Sequence, residues 1–489
     1  MNYSKEIYVK DYFDIHNFYE KIYGKKTIIL MQVGSFHECY GTDSHGLGKE
    51  QIRLADHFDI ICTMKDKKKA LAKNNPRMLG FPIYTIDDWT EKFLSIGYTV
   101  IVIDQTTEPP SPKREVTGVY SPTTYISKNI SNKSSNLVCL YIDALNLKSS
   151  SKCPLLYIGI TSYDLTTGDG YIYETKSTNS DKMFCLDDTI RFLESNPPNE
   201  VVLDFSKDFQ NYMENNKINN MCINDIIAYL NLSEDQHKLY KIHNLNNIIN
   251  ISYQVKLLDE VFTNSNISCV DELNLQYYNN MRISLVSLLD FVKNHQNNLL
   301  IQLNKPKYYT NTNRLFLGNR ALSQLDILPD PKKPKTLFDI INFTKTIIGK
   351  RYLQSMLSNP FASPDDINYN YELIELILKN KLSDIISDNL IHINDLDKLI
   401  RKMKLQKINP YELFNLYNSV DSIINLLDEL KDNDVFYNKI DINEEHFNIL
   451  KSFINYLGEI FEVEVLSKVN FFNNKDNPNY MISDIKRDD

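Results

Sequence analysis

An α/β front half followed by an all-helical rear half is the fold class this sequence predicts, and three observations predict it. Short apolar runs at 27–33, 98–103, 155–160 and 201–203 are bounded by glycine or turn residues and separated by stretches with helical spacing. From about residue 245 apolar residues instead recur at i, i+3, i+4 and i+7, the stripe of an amphipathic helix. At 489 residues the chain has room for about three domains with separate cores. Its 42% hydrophobic and 24% charged content is that of an ordinary globular chain.

The first domain, taken as 1–130, opens with a helix in which Tyr12, Ile15, Tyr19 and Ile22 share one face. The strand 27–33 then runs into Gly34-Ser35 and presents Phe36-His37-Glu38. If that segment stays extended, a period of two puts Phe36 and Glu38 on the same face, just past a glycine that lets the backbone turn. A large ring and a carboxylate so placed suit a weak spot in DNA. The ring can wedge between poorly stacked base pairs from the minor groove, and the carboxylate can hydrogen-bond a base edge freed from normal pairing. The competing reading is core packing, because Phe is among the most often buried residues. A helix-like stretch from Asp87 to Ile96 leads to the second strand, and the proline-bearing segment Glu108 to Ser121 closes the domain.

The second domain, 131–245, follows a Ser/Asn/Lys-rich linker at 127–136. Leu155 to Ile160 reads as a buried strand, Asp164 to Gly170 as a hairpin turn, and Tyr171-Ile172-Tyr173 as the returning strand. A helix from Asp187 to Glu194 and the strand Val201-Val202-Leu203 complete it. Asp164, Asp169 and Asp187 keep a metal-dependent nuclease open as an alternative, since two-metal hydrolysis needs converging carboxylates. Asp164 and Asp169 bracket a turn, however, where Asp serves local geometry.

Residues 246–440 form the helical part, and 441–489 begin further helices that end in a polar, uncapped tail. Leu396, Leu399, Ile400 and Met403 make one stripe, with Lys398, Arg401, Lys402 and Lys404 on other faces. Asn409-Pro410 supplies an N-cap and an N1 proline for a helix striped by Leu413, Leu416, Val420, Ile424 and Leu427.

Charge and special residues narrow the function classes. A formal net charge of −9 argues against a surface that grips DNA throughout. Residues 1–130 carry 17 Lys+Arg against 16 Asp+Glu, a balance of +1 that leaves −10 for the rest. Lys65, Lys67, Lys68, Lys69 and Lys73 cluster in one loop that can position phosphates without reading sequence. Seven cysteines with no C-x-x-C fit reduced thiols, and the histidine spacing matches no metal pattern. There is no apolar run of membrane-spanning length and no signal-peptide core, which points to an intracellular, soluble protein. The Asn, Ile, Lys and Tyr bias suggests an AT-rich genome.

Several strings, in order, resemble the MutS family of DNA mismatch-repair proteins. In the first domain they are Val33-Gly34-Ser35-Phe36-His37-Glu38, Leu54-Ala55-Asp56, Met78-Leu79-Gly80-Phe81-Pro82, Gly97-Tyr98-Thr99-Val100 and Ile103-Asp104-Gln105. Further on they are Leu337-Phe338-Asp339, Thr346 to Leu353, Asn359-Pro360 and Asp395 to Leu399. Ser121-Pro122-Thr123-Thr124 stands where the family has T-P-G-T. The resemblance implies a mixed α/β mismatch-recognition domain, an RNase-H-like α/β connector and an all-helical lever region. It implies Phe36 and Glu38 as mismatch-binding residues, and as partner double-stranded DNA with mismatches or small unpaired loops. The complete family protein is a dimer that uses ATP and magnesium. No glycine-rich phosphate loop occurs in these 489 residues, so no cofactor and no ATP hydrolysis are expected of this chain alone. A remnant that binds nothing is the other alternative.

Overall fold

A computed structural model describes residues 7–468 apart from 65, 109–111, 127–134, 146–153, 216–221, 234–235, 240–244, 263–266, 311–313, 316, 318–320, 330–332, 334, 432 and 441. The chain forms two compact units, one of residues 1–189 with 196–308 and the other of 190–195 with 309–489. The first is mixed α/β and the second is almost wholly helical.

The first unit holds two six-stranded sheets. Helix α1 (Tyr12–Tyr23) precedes β1 (Thr27–Val33), β2 (Phe36–Gly41), α2 (Glu50–Phe58), β3 (Thr63–Met64), β4 (Arg77–Pro82), α3 (Ile86–Ser95), β5 (Thr99–Gln105) and β6 (Arg114–Tyr120). These strands order as β3-β4-β2-β1-β5-β6. β1 is a central strand, paired antiparallel with β2 and parallel with β5, and its successive residues Ile28, Ile29, Leu30 and Met31 are all buried, so the sheet is covered on both faces there. Helix α1 docks through Tyr12, Phe13, Ile15 and Tyr19, adding buried His16 to the expected stripe. β6 lies within the segment that the prolines mark as a domain end. Its seven residues follow the last of those prolines and pair antiparallel with β5, where no side of the ladder needs a proline N–H.

The second sheet contains β7 (Asn136–Leu145), β8 (Leu155–Asp164), β9 (Asp169–Lys176), β10 (Glu200–Phe205), β11 (His237–Leu239) and β12 (Lys307–Tyr308), with α4 (Phe184–Ser195) after β9. Its order is β11-β10-β7-β8-β9-β12. β7, β8 and β9 form an antiparallel meander, while β10 runs parallel to β7 and β11 parallel to β10. β7 begins at the end of the stretch that composition marks as linker. The long helix Asn279–Gln296 is buried along nearly its whole length. It lies so close to β8 that a Cβ at Gly159 would sit 2.0 Å from the Asn280 carbonyl oxygen. This packing carries the first unit on to Tyr308, well into the stretch that periodicity groups with the helical part.

The second unit is built from helices with strong N-terminal caps. Thr336 and Asp339 close a capping box, Thr346 accepts from the Gly349 N–H at 2.9 Å, and Asn409 with Glu412 caps the helix Pro410–Leu430. That helix buries Leu416, Val420 and Ile424, three of its five stripe residues. The helix Leu396–Lys404 departs from its pattern. Only Leu399 of its four stripe residues is buried and Ile400 is 39% exposed, whereas Lys398, Arg401 and Lys402 are buried. Lys402 ion-pairs with buried Glu412, the partner that lets an ammonium leave water. Arg351 forks onto the buried carboxylate of Asp395 and reaches Asp397 at 2.8 Å. Two of the strings shared with the family thus meet in one ion-pair cluster.

Among the described residues no helix is long and apolar enough to cross a membrane. The six described cysteines carry no disulfide, and Cys153 lies outside the described residues.

Candidate nucleic-acid interface

The hairpin β1–β2 builds the site. Gly34 takes φ +61°, the left-handed region that glycine enters without strain, and with Ser35 it makes the two-residue connection. Val33 then faces Phe36 across the ladder, and Phe36 faces Pro82 of β4 on its other side. The ring is 44% exposed at this sheet end. Glu38 follows two residues later on the same face, half-buried. Its cross-strand neighbour is Gly80, where a Cβ would come within 3.3 Å of Glu38 Cγ; the absent side chain leaves room for the carboxylate arm.

The supports of these two residues are buried. His37, between them on the opposite face, lies 2.7 Å from Asp104 Oδ1 through Nε2. Burial pushes the Asp104 carboxyl up, but hydrogen bonds from His37 and Thr117 and the charge of His37 outweigh it and hold it below the usual carboxylate range. Tyr40 donates its hydroxyl hydrogen to Glu38 Oε2, and the carboxylate's other oxygen makes no hydrogen bond among the described residues. Burial, then the Glu38 hydrogen bond, raises the Tyr40 pKa, so its phenol stays a donor. Tyr12 packs edge-on against Tyr40 at 4.9 Å and donates to the Ile29 carbonyl at 3.0 Å. Phe36 and Glu38 therefore project from a fixed frame with one carboxylate oxygen left to accept.

Next to the ring, the β5–β6 end is knitted to β1. Gln105 N–H donates to Gln32 Oε1 at 2.8 Å, and Arg114 Nε donates to the Gln32 carbonyl at 3.0 Å. Tyr40, Gln32 and Arg114 were not among the residues singled out from sequence. Tyr40 carried a signal, since it continues the period-two face of Phe36 and Glu38; Gln32 and Arg114 meet only through strand pairing.

The lysine loop is ordered by one buried side chain. Asn75 donates to the carbonyls of Asp66, Lys69 and Ala70 and accepts from the Asp66 N–H at 2.8 Å. Lys67, Lys68, Lys69 and Lys73 are exposed around it, with Lys69 3.2 Å from Asp66, and Lys65 lies outside the described residues. The loop leads into β4 at Arg77, whereas Phe36 faces Pro82 at the other end of that strand. Five residues of strand separate them, roughly 17 Å. The structure brings Phe36 and Glu38 together and sets the lysines apart from them.

Of the acidic residues of the nuclease alternative, Asp164 and Asp169 face each other across the β8–β9 ladder, but Asp187 does not join them. Asp164 turns back on its own hairpin, accepting from Thr166 N–H and Oγ1, and Asp169 accepts from Asn304. Asp187 accepts from Tyr229 near the far end of β9, where Cys185 Sγ donates to the Thr175 carbonyl. Among the described residues no group of three or more His, Cys, Asp or Glu could hold a metal ion.

Residues 14–129 match the model of MutS domain I, and residues 320–470 match that of MutS domain III. The chain belongs to the MutS family. A mutS homologue of DNA mismatch repair from Acanthamoeba polyphaga mimivirus is 29% identical over 477 residues, covering 93% of this chain and 42% of the relative. The DNA mismatch repair protein MutS of Petrotoga mobilis is 23% identical, covering 89% of this chain and 47% of its own length. The mitochondrial DNA mismatch repair protein mutS homologue of Sarcophyton glaucum is 27% identical, covering 91% and 48%. This chain thus spans a little under half the length of these MutS relatives.

Proposed function

We propose that this chain binds double-stranded DNA at mismatched or locally unpaired positions, as part of DNA mismatch repair, with Phe36 as wedge and Glu38 as acceptor for a displaced base. The observation that carries this reading is the exposed ring at a hairpin end whose flanking residues are held by partly buried hydrogen bonds. An exposed Phe costs hydrophobic burial, and a rigid frame keeps it from folding back onto the protein. A mismatch is easier to unstack and kink than a normal pair, and the ring acts on that difference in deformability.

Lys67, Lys68, Lys69 and Lys73 serve as phosphate contacts in this reading, and Lys65, outside the described residues, is given the same role from the sequence. Their separation from the ring corresponds to about five base-pair steps at ~3.4 Å each. The second sheet is read as an RNase-H-like connector without nuclease chemistry. A three-stranded meander with two further strands parallel to its first supports that assignment. Domain limits of 1–130, 131–245, 246–440 and 441–489 go with the same reading. ATP, magnesium and dimer formation belong to it only for a complete family protein, and no residue here is given those roles.

The test is fluorescence anisotropy of labelled duplexes with the 489-residue chain. A duplex with one mismatch or one unpaired base should bind more tightly than its homoduplex at each salt concentration. Equal affinity for all of them would reject the proposal.

A further inference from the structure

The recognition sheet ends, at the edge away from Phe36, in a buried polar cluster that the DNA reading does not use. Glu200, the first residue of β10, is 1% exposed. Its Oε2 accepts from Ser121 Oγ and Thr123 Oγ1, each at 2.7 Å, and lies 3.4 Å from the Thr123 N–H. Lys238 Nζ, on β11, stands 3.0 Å from Oε1 and also donates to Thr99 Oγ1. Thr99, Ser121 and Thr123 are fully buried. Burial pushes the Glu200 carboxyl up, but Lys238, the Ser121 and Thr123 hydroxyls and the nearby His295 hold it below the usual range.

The placement gives the cluster a role. Ser121 follows the last residue of β6 and Thr99 opens β5, so both neighbouring strands are gripped at one end. At the other end of β5 are Asp104, which holds His37, and Gln105, which is knitted to Gln32. Six residues of continuous strand, roughly 20 Å, connect the grip to the frame of the wedge. A buried carboxylate that loses its partners is left uncompensated in the interior, so the grip is either complete or open.

We propose that Glu200 is a positioning residue for mismatch reading: with Lys238 it clamps the β5–β6 end of the recognition sheet to the second sheet and fixes the aim of Phe36. This rests on the DNA reading above for its consequence, although the clamp itself does not. Opening the clamp leaves the recognition sheet folded and held to the second sheet only by weaker packing, of Tyr23 on His295 and of β6 on the helix Asn279–Gln296, so that it turns more readily.

Trp89 is the single tryptophan of the chain and packs, partly buried, on Phe81 at 5.2 Å against the recognition sheet's core. Its time-resolved anisotropy reports how that sheet tumbles. In the full chain, Glu200→Gln and the milder Thr123→Val should each add a fast rotational component and lower mismatch preference several-fold. Phe36→Ala should lower the preference with native anisotropy. Native anisotropy in both clamp variants would overturn the proposal, as would an unchanged preference in them beside an effective Phe36→Ala. A Phe36→Ala chain with unaltered preference, together with a fast component in the clamp variants, would sink the DNA reading and leave the clamp standing.

Discussion

His37 Nε2 lies 2.7 Å from Asp104 Oδ1, a bond that crosses β1 and ties the residue between the wedge ring and its carboxylate to β5. His37 is buried, so its partner has no replacement from water. Asp104→Ala should destabilise the recognition sheet by about 1.5–3 kcal/mol, the scale of a hydrogen bond to a charged group. The folded carboxyl titrates below its ordinary value of 3.8, so its contribution is complete above that pH and is lost as pH falls through the folded value. Urea unfolding followed by Trp89 emission should show a constant gap between native and variant at neutral pH that closes below about 3.8. A gap independent of pH would assign the loss to packing.

The strands 27–33 and 98–103 and the helix after Asn409-Pro410 were legible because both are local patterns, a short apolar run between turn residues and i, i+3, i+4 spacing; β3, β4 and β6 were not. The pair Phe36 and Glu38 was legible for the same reason. Their supports were not. Asp104, Gln105 and Arg114 reach the hairpin by strand pairing across 60 residues or more, which no local period records. Lys398, Arg401 and Lys402 fell on other faces than the apolar stripe, and their burial was not legible because burial of a cation depends on a partner such as Glu412, ten residues beyond Lys402, and not on its own spacing.

The lysine loop should act through charge alone. Replacing Lys67, Lys68, Lys69 and Lys73 together by Ala should weaken mismatch and homoduplex binding by the same factor. It should also flatten the dependence of log affinity on log salt by about 0.9 for each phosphate that is no longer neutralised. Titration at three salt concentrations measures both. A loss confined to the mismatch would place these lysines in the reading itself.

Glu412 should be the most sensitive carboxylate of the helical unit. It is buried, it neutralises Lys402, and it closes the capping box of Asn409. Glu412→Ala should cost about 3–5 kcal/mol, as when one partner of a buried pair is removed. Urea unfolding followed by helical circular dichroism should register this while Trp89 emission, from the other unit, keeps its native midpoint. A cost under ~1 kcal/mol would mean the pair is solvated.

Binding of Phe36→Ala and Glu38→Ala chains to matched and mismatched duplexes, at two salt concentrations, tests the central claim most directly. Phe36→Ala should lose roughly 1–3 kcal/mol of mismatch affinity, the scale of base–aromatic stacking, and leave the salt slope unchanged. Glu38→Ala removes a negative charge from a surface that meets phosphates, so homoduplex affinity should hold or rise while mismatch preference falls. If both variants lower affinity for the two duplexes by the same factor, Phe36 and Glu38 are scaffold residues and the account is contradicted.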